Sequence, residues 1–218
     1  MSNPVVIAVD GPAAAGKGTL ARKLAAHLGY AYLDTGAIYR AVALQLLLAG
    51  SDPGDAAAAL TAAQNLDTGL LDDPQLRTDK IGAAASQIAA LEDVRQALVG
   101  FQRHFARNPP GNAPGAVLDG RDIGTVICPD AQVKLFVTAS LEARAHRRYL
   151  ELIQRGEEAT EAEVLADLQT RDRRDQERAA APLRPAADAH LLDTTNLAID
   201  DAFAVALAAI SGKIAPHG

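Results

Sequence analysis

Val5-Val6-Ile7-Ala8-Val9-Asp10 runs without a break into Gly11-Pro-Ala-Ala-Ala-Gly16-Lys17-Gly18-Thr19, and an alanine-rich amphipathic stretch follows. A continuous apolar run bounded by turn residues predicts a strand buried on both faces, as in a parallel sheet. The glycines behind it let the backbone curl until several N–H groups point inward at one anion. A helix from Leu20 to about Leu28 adds the positive end of its dipole. Lys17 supplies a mobile cation for outer phosphates. Residues Gly11, Pro12, Ala13, Ala14, Ala15, Gly16, Lys17, Gly18 and Thr19 are therefore the expected cradle of a triphosphate. The competing reading, a plain glycine turn with a solvated lysine, is opposed by the strand on one side and the helix on the other. The general pattern has Ser or Thr directly after the lysine. Here Gly18 intervenes, so the hydroxyl that would meet a magnesium ion, directly or through water, belongs to Thr19.

Further strand-like runs bounded by turn residues predict strands at Tyr30–Leu33, Ala116–Asp119, Gln132–Val137 and His190–Asp193. Helical patterns separate them: from about Ala37 to Ala49, from about Asp55, from Lys80 to Phe105, from about Leu141 to Arg155, from about Thr160 to Arg171, and from Ile199 to Ile210. Strands alternating with helices predict an α/β chain with five parallel strands in a three-layer phosphate-loop NTPase fold. In such sheets ligands lie beyond the carboxyl ends of the strands, where Asp10, Asp34, Asp119 and Asp193 stand.

The reading is of one domain, residues 1–218, with the sheet core at about 1–51, 108–146 and 184–218. Two stretches leave the sheet rhythm: a mostly helical excursion at about 52–107 and an arginine-rich helical one at about 147–183. Excursions beside a phosphate loop suggest closing flaps. The tail past Ile210 is expected to fray.

Composition narrows the class. The net charge of −6 opposes bulk attraction to nucleic acid or membrane, and no apolar stretch has the length of a membrane span. The N-terminus shows no signal-peptide pattern. The lone Cys128 excludes an internal disulfide framework and a cysteine-rich zinc site. A cytoplasmic enzyme is expected. Of sixteen arginines, nine fall between Arg144 and Arg184, a stretch with no lysine. The guanidinium fork suits bidentate contact with phosphate and carboxylate. Up to about Glu163 the interspersed glutamates favour a solvated, salt-bridged helix face; from Arg171 to Arg178 the spacing favours ligand contact. No Asn-Lys-x-Asp is present to read guanine. Asp119 is followed by Gly120-Arg121-Asp122, without the glutamate that a motor ATPase uses to activate water. A phosphoryl transferase acting on a bound acceptor needs cations at a second phosphate-sized site and a lid that excludes water. Arg40, Arg95, Arg121 and the Arg171–Arg178 cluster are the candidates. A kinase for another small molecule, or a nucleotide-dependent switch without acceptor chemistry, are the alternatives these residues leave open.

Gly11–Thr19 together with Asp34-Thr-Gly-Ala-Ile-Tyr-Arg40, Leu118-Asp-Gly-Arg-Asp-Ile-Gly-Thr125 and Arg171-Asp-Arg-Arg-Asp-Gln-Glu-Arg178 resembles the nucleoside monophosphate kinase family, the bacterial cytidylate kinases in particular. The likeness continues through Ala181-Pro-Leu, Pro185-Ala-Ala-Asp188 and Leu192-Asp-Thr-Thr195. It implies transfer of the γ-phosphoryl group of ATP to CMP, and dCMP, with Mg²⁺, by a monomer that engages nucleotides and no nucleic acid. It implies that Thr35 and Asp122 hold the acceptor nucleoside, with Tyr39 at the same pocket and Ser86 and Arg95 contacting the base. A carboxylate suits cytosine, whose exocyclic amine is a donor that uracil lacks. It implies that Arg40, Arg121 and Arg178 surround the acceptor phosphate and sugar, that Asp175 binds the sugar hydroxyls, and that Lys17, Arg171, Arg174 and Arg178 act on the transferring phosphoryl group. Each has a plainer alternative: Tyr39 as a core aromatic, Ser86 as a helix-face residue, Asp122 as a turn residue. The family's small antiparallel sheet in the first excursion has no counterpart in Leu66–Gly82, so an abbreviated excursion is expected.

Overall fold

The computed structural model describes residues 4–213. Five strands form one sheet in the order β2-β3-β1-β4-β5: β1 (Val5–Asp10), β2 (Ala31–Asp34), β3 (Gly115–Gly120), β4 (Val133–Thr138) and β5 (His190–Asp193). β1 pairs in parallel with β3, Val9 beside Asp119 and Asp10 beside Gly120, and in parallel with β4, Asp10 beside Phe136. β4 pairs in parallel with β5, Thr138 beside Asp193. β1 and β3 end level, β4 and β5 run two residues further, and Asp10, Asp119 and Asp193 come to the carboxyl end of the sheet.

The chain divides into two compact units. One comprises Met1–Leu33 and Ala106–Gly218, the other Asp34–Phe105. In the first, α1 (Lys17–Leu28) and α8 (Ile199–Ser211) cover one sheet face. Alternate strand residues Ile7, Val9, Val117, Leu135, Val137 and Leu192 meet Leu20 and Leu24 of α1 and Ala206 and Ile210 of α8. The period of two along the strands and of three to four along the helices makes that interface continuous. α1 stops at Gly29, whose φ of 66° is left-handed and whose N–H reaches Ala25 and Ala26 carbonyls. The first unit also carries α6 (Leu141–Gln154) and α7 (Glu161–Glu177), which share a small core of Ala145, Leu152, Val164 and Leu168 closed by Ala13 of the glycine loop.

The second unit is helical. It holds α2 (Thr35–Leu48), α3 (Ala56–Gln64), α4 (Asp79–Ile88) and α5 (Glu92–Arg107), the last reaching into the first unit by two residues. Between α3 and α4 lie two short 3₁₀ turns, Thr68–Asp72 and Pro74–Arg77. Aspartates cap these elements: Asp34 accepts from the Ala37 N–H, Asp55 from Ala57 and Ala58, Asp67 from Gly69 and Asp73 from Gln75. Each satisfies a backbone donor that the element's start would leave open. No strand forms between Thr35 and Phe105 among the described residues, as the turn-rich Leu66–Gly82 segment implied.

Three helix expectations change. The single helix from Lys80 to Phe105 is two, broken at Ala89–Leu91, where the N–H groups of Ala90 and Leu91 turn to carbonyls three residues back. The helix from Thr160 does not stop at Arg171 but continues to Glu177. α2 starts at Thr35 and not at Ala37, directly behind β2, because Asp34 both ends the strand and caps the helix. The tail expected to fray keeps helix to Ser211, and its residues 214–218 lie outside those described. No helix among the described residues is long and apolar enough to cross a membrane.

Candidate active site

Between β1 and α1 the loop makes its turn with three unusual backbone conformations: Gly11 at φ 151°, Ala14 at φ 59° and Gly16 at φ 82°. Gly11 is required for space as well. A Cβ there would sit 2.0 Å from the carbonyl oxygen of Val137, just past the β1–β4 pairing. Ala14 holds a left-handed conformation where a glycine would be easier, at a cost of roughly 1–2 kcal/mol. Lys17 opens α1 and its Nζ lies 3.0 Å from Oδ1 of Asp119 at the end of β3. The Tyr32 hydroxyl donates to the other carboxylate oxygen at 3.3 Å. Gly18 now has a reason: a Cβ on it would come 2.9 Å from Asp119 Oδ2, so the glycine lets the carboxylate close on the loop. Thr19 is exposed on the first turn of α1.

Directly below, Asp10 is 5% exposed and its two carboxylate oxygens accept from the backbone N–H groups of Ile123 and Gly124, both at 2.8 Å. Burial pushes its carboxyl up to about 7 against those two bonds, with help from the neighbouring Asp122 and Asp119 charges. The bonds anchor a single π-helical turn, Ile123–Ile127, which follows β3 and begins right after Asp122. Such turns are rare and occur frequently at functional sites.

α7 brings the arginine cluster to the same unit. Because the helix continues to Glu177 and Arg178 caps it, Arg171, Arg174, Asp175 and Arg178 fall at i, i+3, i+4 and i+7 on one face. Arg173 lies off that face, exposed. Arg121 Nε donates to Asp175 Oδ2 at 2.9 Å, and Arg178 Nη2 lies 3.6 Å from Asp122 Oδ1. All four side chains are largely shielded from solvent. Burial alone would raise the Asp175 carboxyl, but the Arg121, Arg171 and Arg178 charges and the Arg121 hydrogen bond hold it below the usual carboxylate range. One unit therefore presents a phosphate-loop lysine paired with a carboxylate, and two further arginine–carboxylate pairs.

The remaining candidates stand in the second unit. Thr35 is the first residue of α2 and is buried; Tyr39 and Arg40 follow one turn later. Ser86 is half-buried on α4. Arg95, on α5, is 6% exposed, donates to the Ala89 carbonyl at 3.4 Å and sets its guanidinium 5.8 Å from the Tyr39 ring centroid. Within this unit the structure joins Tyr39 to Arg95.

Other residues at the site carry no role read from the sequence. Asp119 carried a usable signal, as a carboxylate ending the strand beside β1. Arg144 did not: it was read with a solvated helix face, yet it is 5% exposed and wholly engaged. The correction follows from three acceptors around one guanidinium: Ala139 O at 3.0 Å, Ala13 O at 3.2 Å and Asp172 Oδ2 at 2.6 Å. Arg147 likewise binds Thr194 and Thr195 carbonyls. Arg148 and Arg155, paired with Glu151, fit the solvated reading.

A sequence profile described as Cytidylate kinase matches residues 7–211. A cytidylate kinase of Paramagnetospirillum magneticum is 59% identical over 208 residues, 95% of this chain and 98% of that protein. One of Rhodospirillum rubrum is 55% identical over 209 residues, 96% and 98% of the two chains. One of Rhodopseudomonas palustris is 58% identical over 206 residues, covering 94% and 95%. A solved structure from Eubacterium ventriosum superposes with a TM-score of 0.54 at 13% identity, over 94% of this chain and 96% of that one, and shares the fold. With the profile spanning the sheet from β1 to the end of α8 and relatives matched nearly end to end, the chain belongs to the cytidylate kinase family.

Proposed function

We propose that this protein transfers the γ-phosphoryl group of ATP to CMP, and to dCMP, giving the diphosphate. Family membership supports the reaction, and one observation carries it to this chain: two arginine–carboxylate pairs, Arg121–Asp175 and Arg178–Asp122, are held in the same unit as the Lys17 loop. A switch that only binds or hydrolyses ATP has no use for buried cations and hydrogen-bonding carboxylates beyond the loop. An anionic nucleotide acceptor uses both.

In this reading the loop N–H groups and Lys17 hold the donor phosphates. Asp122 accepts from the cytosine amine, Asp175 from the sugar hydroxyls, and Arg40, Arg121 and Arg178 take the acceptor phosphate. Thr35, Tyr39, Ser86 and Arg95 engage the nucleoside. Arg171 and Arg174 neutralise the group in flight, and the 147–183 stretch acts as the lid, the 52–107 stretch as the acceptor-binding flap. The acceptor phosphate is already an anionic nucleophile, so positioning and charge neutralisation suffice and no strong base is needed. The chain fits Mg²⁺ arriving with the nucleotide: Asp119 offers a carboxylate beside the loop and Thr19 a hydroxyl, directly or through water, while no group of three or more metal-ligating His, Cys, Asp or Glu side chains exists among the described residues. The ion would supply charge neutralisation at the outer phosphate oxygens. The net charge of −6 opposes bulk attraction to nucleic acid, and the reading is of a cytoplasmic monomer that works on nucleotides.

A coupled ADP-release assay across CMP, dCMP, UMP, AMP and GMP tests the proposal. CMP and dCMP are expected to be the best acceptors. Activity on AMP or GMP with none on CMP, or ATP hydrolysis indifferent to every monophosphate, overturns it.

A further inference from the structure

The carbonyl groups of the glycine loop, and not only its N–H groups, are held in place. Ala13 O accepts from Arg144 Nη1 at 3.2 Å, and Ala15 O from the Thr194 hydroxyl at 3.0 Å. The hydroxyl also lies 3.1 Å from Thr138 O, the carbonyl that takes the Thr194 N–H at 2.8 Å, so Thr194 ties the loop to the end of β4. Thr194 accepts in turn from Arg147 Nη1 at 3.1 Å.

A planar trans peptide directs its C=O and the next N–H in opposite senses. Turning the Ala13 carbonyl outward to Arg144 therefore turns the Ala14 N–H the other way, and turning the Ala15 carbonyl to Thr194 does the same for the Gly16 N–H. Between these two peptides sits Ala14 at φ 59°, a conformation that persists only where its surroundings over-determine it. We infer that Arg144 is a positioning residue of the donor site: it holds the 13–14 peptide with its N–H toward the phosphates and couples that loop to the arginine-bearing helix α7.

The coupling lies in the same guanidinium. Its Nε is fixed on Ala139 O just past β4, and its Nη2 on Asp172, the neighbour of Arg171. Three acceptors in three directions match a rigid planar fork with five donors; a lysine ammonium offers one point of charge on a flexible stem. Arg144 is 5% exposed and Asp172 is half-buried, so the network is shielded from water and the loss of one member is not made good by solvent.

This inference rests on the reading of the loop as the donor site, and the test separates the two. Arg144→Lys and the double variant Arg144→Met/Asp172→Asn, which leaves no carboxylate orphaned, are compared with the parent by equilibrium ATP binding and by steady-state kinetics with CMP. Expected are an ATP affinity at least tenfold weaker in both variants, a CMP KM within twofold of the parent, and faster amide exchange at Ala14 and Gly16. ATP affinity within twofold of the parent in the folded variants overturns the inference, and so does an equal rise in the ATP and CMP constants, which a general loosening would give. A parent that binds ATP without phosphorylating CMP refutes the proposed reaction instead, and leaves the binding comparison able to decide on Arg144.

Discussion

Replacing Arg178 with methionine removes a charge while keeping most of the side-chain volume; it breaks the pair with Asp122 and the bond from Nε to the Ala181 carbonyl, so the share due to the pair is read from its coupling with an Asp122 variant. The two groups are 3.6 Å apart with side chains 7% and 8% exposed. At an effective dielectric of about 20, charges at that separation attract by roughly 5 kcal/mol. Desolvation of both ions opposes much of this in the intact pair, but the variant forfeits the attraction and keeps Asp122 buried. Breaking such a pair costs about 3–5 kcal/mol. The 3.6 Å separation exceeds a hydrogen bond, which places the expectation near the lower figure, about 3 kcal/mol. The chain has no tryptophan, so urea unfolding is best followed by circular dichroism at constant pH. Asp122→Asn in the Arg178→Met background removes the orphaned charge and should restore at least half of the lost stability. It should not restore catalysis: CMP KM stays raised and turnover stays low, because the ligand contacts are still missing. A loss under 0.5 kcal/mol for Arg178→Met, or strictly additive single and double variants, would refute the claim that a shielded ion pair holds the two residues together.

Gly11→Ala should abolish the folded protein, since its Cβ would meet the Val137 carbonyl oxygen at 2.0 Å, whereas Gly18→Ala should fold and lose ATP affinity, because only the Asp119 carboxylate at 2.9 Å has to move; wild-type-like melting for Gly11→Ala would show the reasoning wrong. Asp10, with its carboxyl near 7 in the fold and ordinary when unfolded, keeps its proton in the native state while the unfolded chain has lost it. Its contribution is complete below about pH 4 and disappears as pH rises to about 7, by up to roughly 4 kcal/mol; the stability difference between the parent and Asp10→Asn, measured from pH 4 to 8, should follow that course, and a flat difference would contradict it. Thr160→Ala removes a capping box in which Thr160 and Glu163 exchange bonds, and should destabilise the start of α7 by about 1 kcal/mol, read as faster amide exchange there.

The strands were legible nearly to the residue, because a strand buried on both faces reads as a largely apolar run: Val5–Val9 and Ala116–Leu118 are unbroken, and Gln132–Val137 is interrupted after its first residue only by Lys134. The α4–α5 break was not, because Ala89-Ala90-Leu91 carries no local stop signal; all three residues favour helix. The extension of α7 through Arg171–Glu177 was hidden for the opposite reason, since a polar, charge-dense segment has no apolar stripe to report its period. The candidate residues on the loop, the β3 turn and α7 could be selected by motif, but their pairings could not. That Asp119 faces Lys17, or that Arg144 is enclosed, depends on strand neighbours and on acceptors more than a hundred residues away in the chain, such as Ala13.

Strand order has a consequence for how the chain is made. β1 pairs only with β3 and β4, both of which follow the whole of the second unit. During synthesis the N-terminal segment carrying the glycine loop therefore leaves the ribosome with no strand to join. The helical Asp34–Phe105 unit, whose caps and turns bridge only a few residues, can condense meanwhile. Only when β3 and β4 emerge does the central strand acquire neighbours, after closing a loop whose entropy grows slowly with length. The central strand, though it precedes both of its neighbours in the chain, is thus among the last parts of the sheet to take its shape.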